Sequence, residues 1–164
     1  MGDRFGAATG SVPSAVTDRA SATVPVDGNA GPLPVQPPGA TPNGDGGYLV
    51  DRDGDGHVDA AWIDTDGDGD IDRVAYDDDG DGRIDRLLID RNGDGRVDVY
   101  AYDQNCDGSV DYMLTDENFD GRIDGETVDL DRSGSVDTRY SDTNGDGVMD
   151  TTEYWHPDPN PYAD

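Results

Sequence analysis

Asp51, Asp64, Asp77, Asp90, Asp103, Asp116, Asp129 and Asp142 follow one another at intervals of 13 residues, and each opens a unit of the same design. The third place holds Asp53, Asp66, Asp79, Asn92, Asn105, Asn118, Asp131 and Asn144. The fifth holds Asp55, Asp68, Asp81, Asp94, Asp107, Asp120, Ser133 and Asp146, and the ninth holds Asp59, Asp72, Asp85, Asp98, Asp111, Asp124, Asp137 and Asp150. Glycine fills the sixth place of all eight units, and Val, Ile or Met the eighth. Every one of these polar groups is a short oxygen donor. A hard divalent cation of calcium size takes six to eight oxygens at about 2.4 Å. Side chains at places 1, 3 and 5 of a tight loop converge on one point. Glycine at place 6 permits the sharp turn that brings the carbonyl of residue 7 round as a further ligand. Residue 9 then contributes directly or through water, and the apolar residue at place 8 anchors the loop. No Cys or His stands at a ligand place, which disfavours zinc and copper. Magnesium prefers a smaller octahedron with retained waters, so Ca2+ at about eight sites is the expectation.

The last unit carries this chemistry furthest. DTNGDGVMDTTE matches a complete EF-hand calcium loop: Asp142, Asn144, Asp146, the Val148 carbonyl, Asp150 and Glu153. In the other seven units the twelfth place is Trp62, Ala75, Leu88, Ala101, Leu114, Thr127 or Tyr140. Four residues separate the ninth place from the next unit, too few for the flanking helices of an EF-hand. The array over residues 51 to 154 therefore resembles the thrombospondin type 3 repeat, without that family's paired cysteines. The resemblance implies an Asp-rich calcium-binding array with little regular secondary structure. In place of the twelfth ligand, the Asp at place 9 and the Asp opening the next unit, as in Asp59 with Asp64, are expected to be shared between adjacent units.

The spacers that must position these loops are short: AAWI, RVAY, RLLI, VYAY, YMLT, GETV, TRYS and TTEY. The earlier ones are rich in Val, Ile, Tyr and Leu and bounded by Gly turns, which reads as strand. Apolar residues fall on both faces of each run, so alternation selects no buried face. The expected fold is a repeat protein of tandem 13-residue calcium loops joined by short β-strands. A rod- or solenoid-like stack is favoured, and an antiparallel β-meander is the alternative. The repeats are placed at 48–155. Residues 1–47, with seven of the ten prolines, read as a disordered tail, and 156–164 as a Pro-rich C-terminal tail. Thr41 to Val50 contains a truncated unit that would cap the array. The later spacers are more polar, so the array should loosen toward its end.

Charge narrows the classes of function. There are 35 Asp, 3 Glu, 11 Arg and no Lys, for a net charge of −27, while apolar residues make up 32%. Such a chain repels nucleic acid and anionic lipid and favours cations. No run of 18 apolar residues exists, so membrane insertion is not expected. Met1 to Val16 hold no continuous apolar run of the kind a secretory leader carries. The Arg residues are expected to bridge spare carboxylates. Cys106 is expected to face solvent or to pair between molecules. Catalysis needs a few carboxylates with distinct environments in a pocket, whereas here each has near-copies, so no enzyme is expected. The reading is a calcium-stiffened structural or adhesive module with a protein or matrix partner. The alternative is a calcium buffer, scavenger or mineral-associated acidic protein. Loops without a twelfth ligand bind weakly, which places the protein outside the cell or on its surface.

Overall fold

The computed structural model describes residues 28–36 and 38–155. Each spacer becomes one strand. Ala60–Ile63 (β3), Arg73–Tyr76 (β4), Arg86–Ile89 (β5), Val99–Tyr102 (β6), Tyr112–Thr115 (β7), Gly125–Val128 (β8), Thr138–Ser141 (β9) and Thr151–Tyr154 (β10) follow from the eight units. Thr41–Pro42 (β1) and Tyr48–Val50 (β2) precede them, so the truncated unit does form the cap. All ten lie in one open sheet in chain order, every pair antiparallel. The rod of loops stacked along one side does not form: the structure is the meander. The physical reason lies in the loop closure. The ninth residue donates its N–H to the carbonyl just before the loop, as Asp85 does to Tyr76 at 2.8 Å and Asp98 to Ile89 at 2.7 Å. Each nine-residue loop thereby returns the chain beside itself.

Successive loops consequently lie at opposite ends of the strands. Loops 1, 3, 5 and 7 form one row, and loops 2, 4, 6 and 8 the other. Within a row the ladder extends one residue further, because the first Asp of each unit bonds the ninth Asp of the unit two before. Asp77 N–H donates to Asp59 O at 2.9 Å, and Asp116 N–H donates to Asp98 O at 2.8 Å.

The register explains why alternation within single spacers pointed to neither face. Ala60 lies opposite Tyr76, Trp62 opposite Val74, Val74 opposite Leu88, and Leu88 opposite Tyr100. Odd units thus place their tenth and twelfth residues on one face, and even units their eleventh and thirteenth. That face carries the core: Ala60, Trp62, Val74, Tyr76, Leu88, Tyr100, Tyr102 and Leu114, with Val97 and Ile123 from loops 4 and 6. Trp62 meets Tyr76 edge to face with ring centroids 6.0 Å apart, and the Arg86 guanidinium lies over the Tyr76 ring at 4.5 Å.

Part of the segment expected as a free tail covers this face. Residues 28–34 run along loops 6 and 4 as a strap. Ala30 N–H donates to Gly121 O (2.8 Å), Ile123 N–H to Gly28 O (3.0 Å), Val97 N–H to Gly31 O (2.9 Å) and Leu33 N–H to Gly95 O (3.0 Å). Gly31 N–H donates to the Tyr100 hydroxyl and Trp62 Nε1–H to Pro34 O, each at 2.8 Å. Val97 is 1% exposed beneath the strap, whereas Val58, Ile84 and Val110 of the other row are 44–49% exposed. Residues 1–27 and 156–164 lie outside the described residues. All four residues of the edge strand β10 are exposed, although it pairs with β9 along its whole length.

Candidate metal centre

Each loop is organised by its own carboxylates. The first Asp accepts from the sixth-place Gly N–H in all eight units, at 2.6–3.0 Å. The third-place Asp or Asn accepts from the fifth-place N–H in all eight. The fifth-place Asp accepts from the seventh-place N–H in seven; in unit 7, Ser133 has no such bond. The ninth Asp accepts from the second-place N–H in all eight. Glycine is required at place 6, where φ runs from 82° to 100°, a region that costs a residue with a side chain roughly 1–2 kcal/mol. Place 4 needs positive φ too, and there Cys106, Phe119 and Arg132 adopt 57–61° without being glycine.

These bonds turn the carboxylates inward on one another. Three carboxylate oxygens come within 4.8 Å in loop 1 (Asp51, Asp53, Asp59), loop 2 (Asp64, Asp66, Asp72), loop 3 (Asp77, Asp79, Asp81) and loop 7 (Asp129, Asp131, Asp137). Each group could hold a metal ion. In loops 4, 5, 6 and 8 an Asn amide takes the third place, which lowers the carboxylate count without removing the oxygen. Three further carboxylate oxygens have no partner: Asp85 Oδ1, Asp111 Oδ1 and Asp116 Oδ1 are buried and accept no hydrogen bond. Asp116 itself is 1% exposed. In loop 6 neither the place-4 nor the place-5 N–H reaches Asp116 Oδ1, whereas Gly54 N–H reaches Asp51 in loop 1 and Asp107 N–H reaches Asp103 in loop 5. A buried carboxylate oxygen without a donor is costly unless a cation faces it, so the donor set fits a hard divalent ion. Burial also raises the ninth-place Asp98 and Asp124 above the usual carboxylate range, against the pull of their backbone hydrogen bonds.

Two expected placements are not met. Asp59 and Asp64 stand at opposite ends of β3, about 16 Å apart by strand rise, so a ligand cannot be shared between consecutive units. The near neighbour of each loop is the one two units on. Glu153 lies on β10 opposite Arg139, three strand residues beyond Asp150, and accepts from Trp155 Nε1 at 3.4 Å. It is not brought to loop 8.

The arginines were expected to pair with spare carboxylates. Arg86 does so with Asp78, Arg139 with Glu117, and Arg83 with Asp81 at 3.9 Å. Three arginines, Arg83 among them, also tie loops along a row. Arg83 donates to Asp107 O at 2.9 Å, Arg122 to Gly145 O at 3.1 Å and Arg91 to Asp116 O at 2.7 Å. Only the pairing of alternate loops, invisible in the period, could have foretold this. Cys106 is half-buried and lies against loop 3, where the Asp85 and then the Asp79 carboxylate beside it push its thiol up to about 12.

Comparison with protein-family models, with curated proteins and with solved structures finds no match to this chain. Among the described residues no helix is long and apolar enough to cross a membrane.

Proposed function

We propose that the protein is a non-enzymatic calcium-binding repeat protein, a sheet stiffened by ions held in loops along both its ends. The observation that carries this reading is the convergence of three Asp carboxylate oxygens within 4.8 Å in each of loops 1, 2, 3 and 7. They lie within a loop scheme repeated eight times. The first, third, fifth and ninth side chains, with the seventh carbonyl, supply the oxygens. The chemistry is that of EF-hand and thrombospondin type 3 loops, carried here on a sheet without flanking helices. Calcium would neutralise carboxylates whose mutual repulsion opposes the fold. Residues 51 to 154 hold 32 acids against 9 Arg, a net of −23. The weak, all-oxygen loops suit the calcium level outside a cell or on its surface, where a stiff ribbon acts as a spacer or adhesive module toward a protein or matrix partner.

Native mass spectrometry with circular dichroism during a calcium titration tests it. About eight bound ions are expected, with strand signal gained as they bind. Two or fewer ions at millimolar calcium would overturn the reading. The exposure of Asp53, Asp55, Asp66 and Asp68 along both rows favours one other use, in which the ions themselves are buffered or scavenged. Small-angle scattering separates the two: a spacer contracts to a particle of fixed length with calcium, and a buffer does not.

A further inference from the structure

Seven loops present oxygen alone, and loop 3 does not. Cys106 belongs to loop 5, but the row brings loop 5 against loop 3. A carboxylate oxygen of Asp79, a carboxylate oxygen of Asp85 and Cys106 Sγ all lie within 4.8 Å of one another. A second observation points into the same place. Asp85 is 5% exposed, and its Oδ1 accepts no hydrogen bond. Its other oxygen is occupied by the N–H groups of Asp78 (2.6 Å) and Asp79 (3.2 Å), which fix the carboxylate in position. The approach is fixed from the far side as well, because Arg83 reaches across from loop 3 to the Asp107 carbonyl, one residue beyond Cys106.

We infer that the junction of loops 3 and 5 is a mixed sulfur–oxygen site for a thiophilic divalent cation of the zinc class, with Asp79, Asp85 and Cys106 as its ligands. One thiolate and two carboxylates leave a fourth tetrahedral position for water. Such ligands stand about 2.0–2.3 Å from zinc, so three donors already within 4.8 Å need only small side-chain adjustments. As the sulfur–metal bond forms, the thiol proton leaves to solvent. Sulfur is a poor ligand for calcium and a good one for softer ions, so this loop is distinguished from the other seven by ion type. Because Asp79 and Asp85 also belong to the oxygen set of loop 3, the two kinds of ion exclude each other there.

Cadmium chloride is the probe, titrated into the full chain and followed by the ultraviolet sulfur-to-cadmium charge-transfer band. One equivalent per chain should saturate the band, with the protein monomeric by light scattering. Cys106→Ser should abolish it. Asp85→Asn and Asp79→Asn should each weaken cadmium binding by roughly tenfold or more, since a direct ligand is worth at least what an outer partner is. Asp94→Asn, in the opposite row, should leave it unchanged. Circular dichroism of each variant checks the fold, and the Asp79 variant serves if the Asp85 variant does not fold. No band in the native chain, one cadmium shared by two chains, or full affinity in the folded Asp variants would overturn the inference. The band reports sulfur ligation only, so its failure leaves the calcium reading standing, and failure of the calcium titration leaves the band to be judged alone.

Discussion

At the scale of single residues, the ninth Asp does more than the twelfth residue. Asp150 accepts from the N–H and hydroxyl of Thr143 and from the Asn144 amide, all at 3.1 Å, and so closes loop 8. Glu153 is committed to the strand. Asp150→Asn should therefore weaken calcium binding at loop 8 by roughly tenfold, on the scale of a lost charged ligand, while Glu153→Gln leaves it within about twofold. Calorimetry on the two variants decides between them, and equal losses would return Glu153 to the ion. Glu126 is a different kind of acid. It sits on the core face beside Tyr112 and Tyr140, and burial raises it above its usual range despite the Tyr112 hydroxyl. A carboxyl raised by folding is charged first in the unfolded chain, so it lowers stability as pH rises from its ordinary 4.5 through the folded value. Glu126→Gln should raise the melting temperature at pH 7, and the gain should vanish at pH 4. A gain of equal size at both pH values would mean that charge is not the cause.

At the scale of elements, the unit of communication is the row. Loops two apart share a backbone bond and, in three places, an arginine. Loops next in sequence share only the ends of a strand. The sixth-place glycine N–H bonded to the first Asp is a reporter in every loop, because its nuclear magnetic resonance depends on that hydrogen bond. Disabling loop 4 with Asp90→Asn should shift the Gly121 signal of loop 6 and delay its response to calcium, with Gly108 of loop 5 unmoved. The opposite pattern would show that coupling follows the sequence. Much of each element was legible beforehand. The 13-residue period, the turn at the sixth glycine and the strand character of AAWI or VYAY all follow from local chemistry. The direction of successive strands does not, since a period says how often a unit recurs and not whether it returns. The buried face was hidden because Trp62 is the twelfth residue of its unit whereas Val74 is the eleventh, yet the two lie side by side.

At the scale of the whole molecule, a thin sheet with one covered face depends on its strap. Residues 28–34 supply the backbone partners of loops 4 and 6 and the oxygen for Trp62 Nε1. Replacing Leu33 by Asp would set a charge against the core cluster that Leu33 packs on. We expect a loss of at least ~2 kcal/mol in thermal or denaturant unfolding, the usual scale for burying an unpaired charge, and loss of the ordered Tyr100 hydroxyl contact. Unchanged stability would mean that the strap is ornamental. The strap was read from sequence as a tail because its Pro and Gly content matches that of free chain. Its order comes from contacts with loops 4 and 6, about 60 to 95 residues away in sequence.

The alternation of loops between the two ends also governs how such a chain can change length. Removing one unit, Asp64 to Tyr76, would invert the parity of everything after it, sending loop 4 to the wrong end and turning Tyr100 and Tyr102 out of the core. Removing two, Asp64 to Ile89, restores both, because the second inversion cancels the first. The longer deletion should therefore be the better tolerated, with a cooperative melt and native tyrosine fluorescence where the shorter one has neither. A molecule of this kind can be lengthened or trimmed gracefully only in steps of 26 residues, although its sequence counts in 13s.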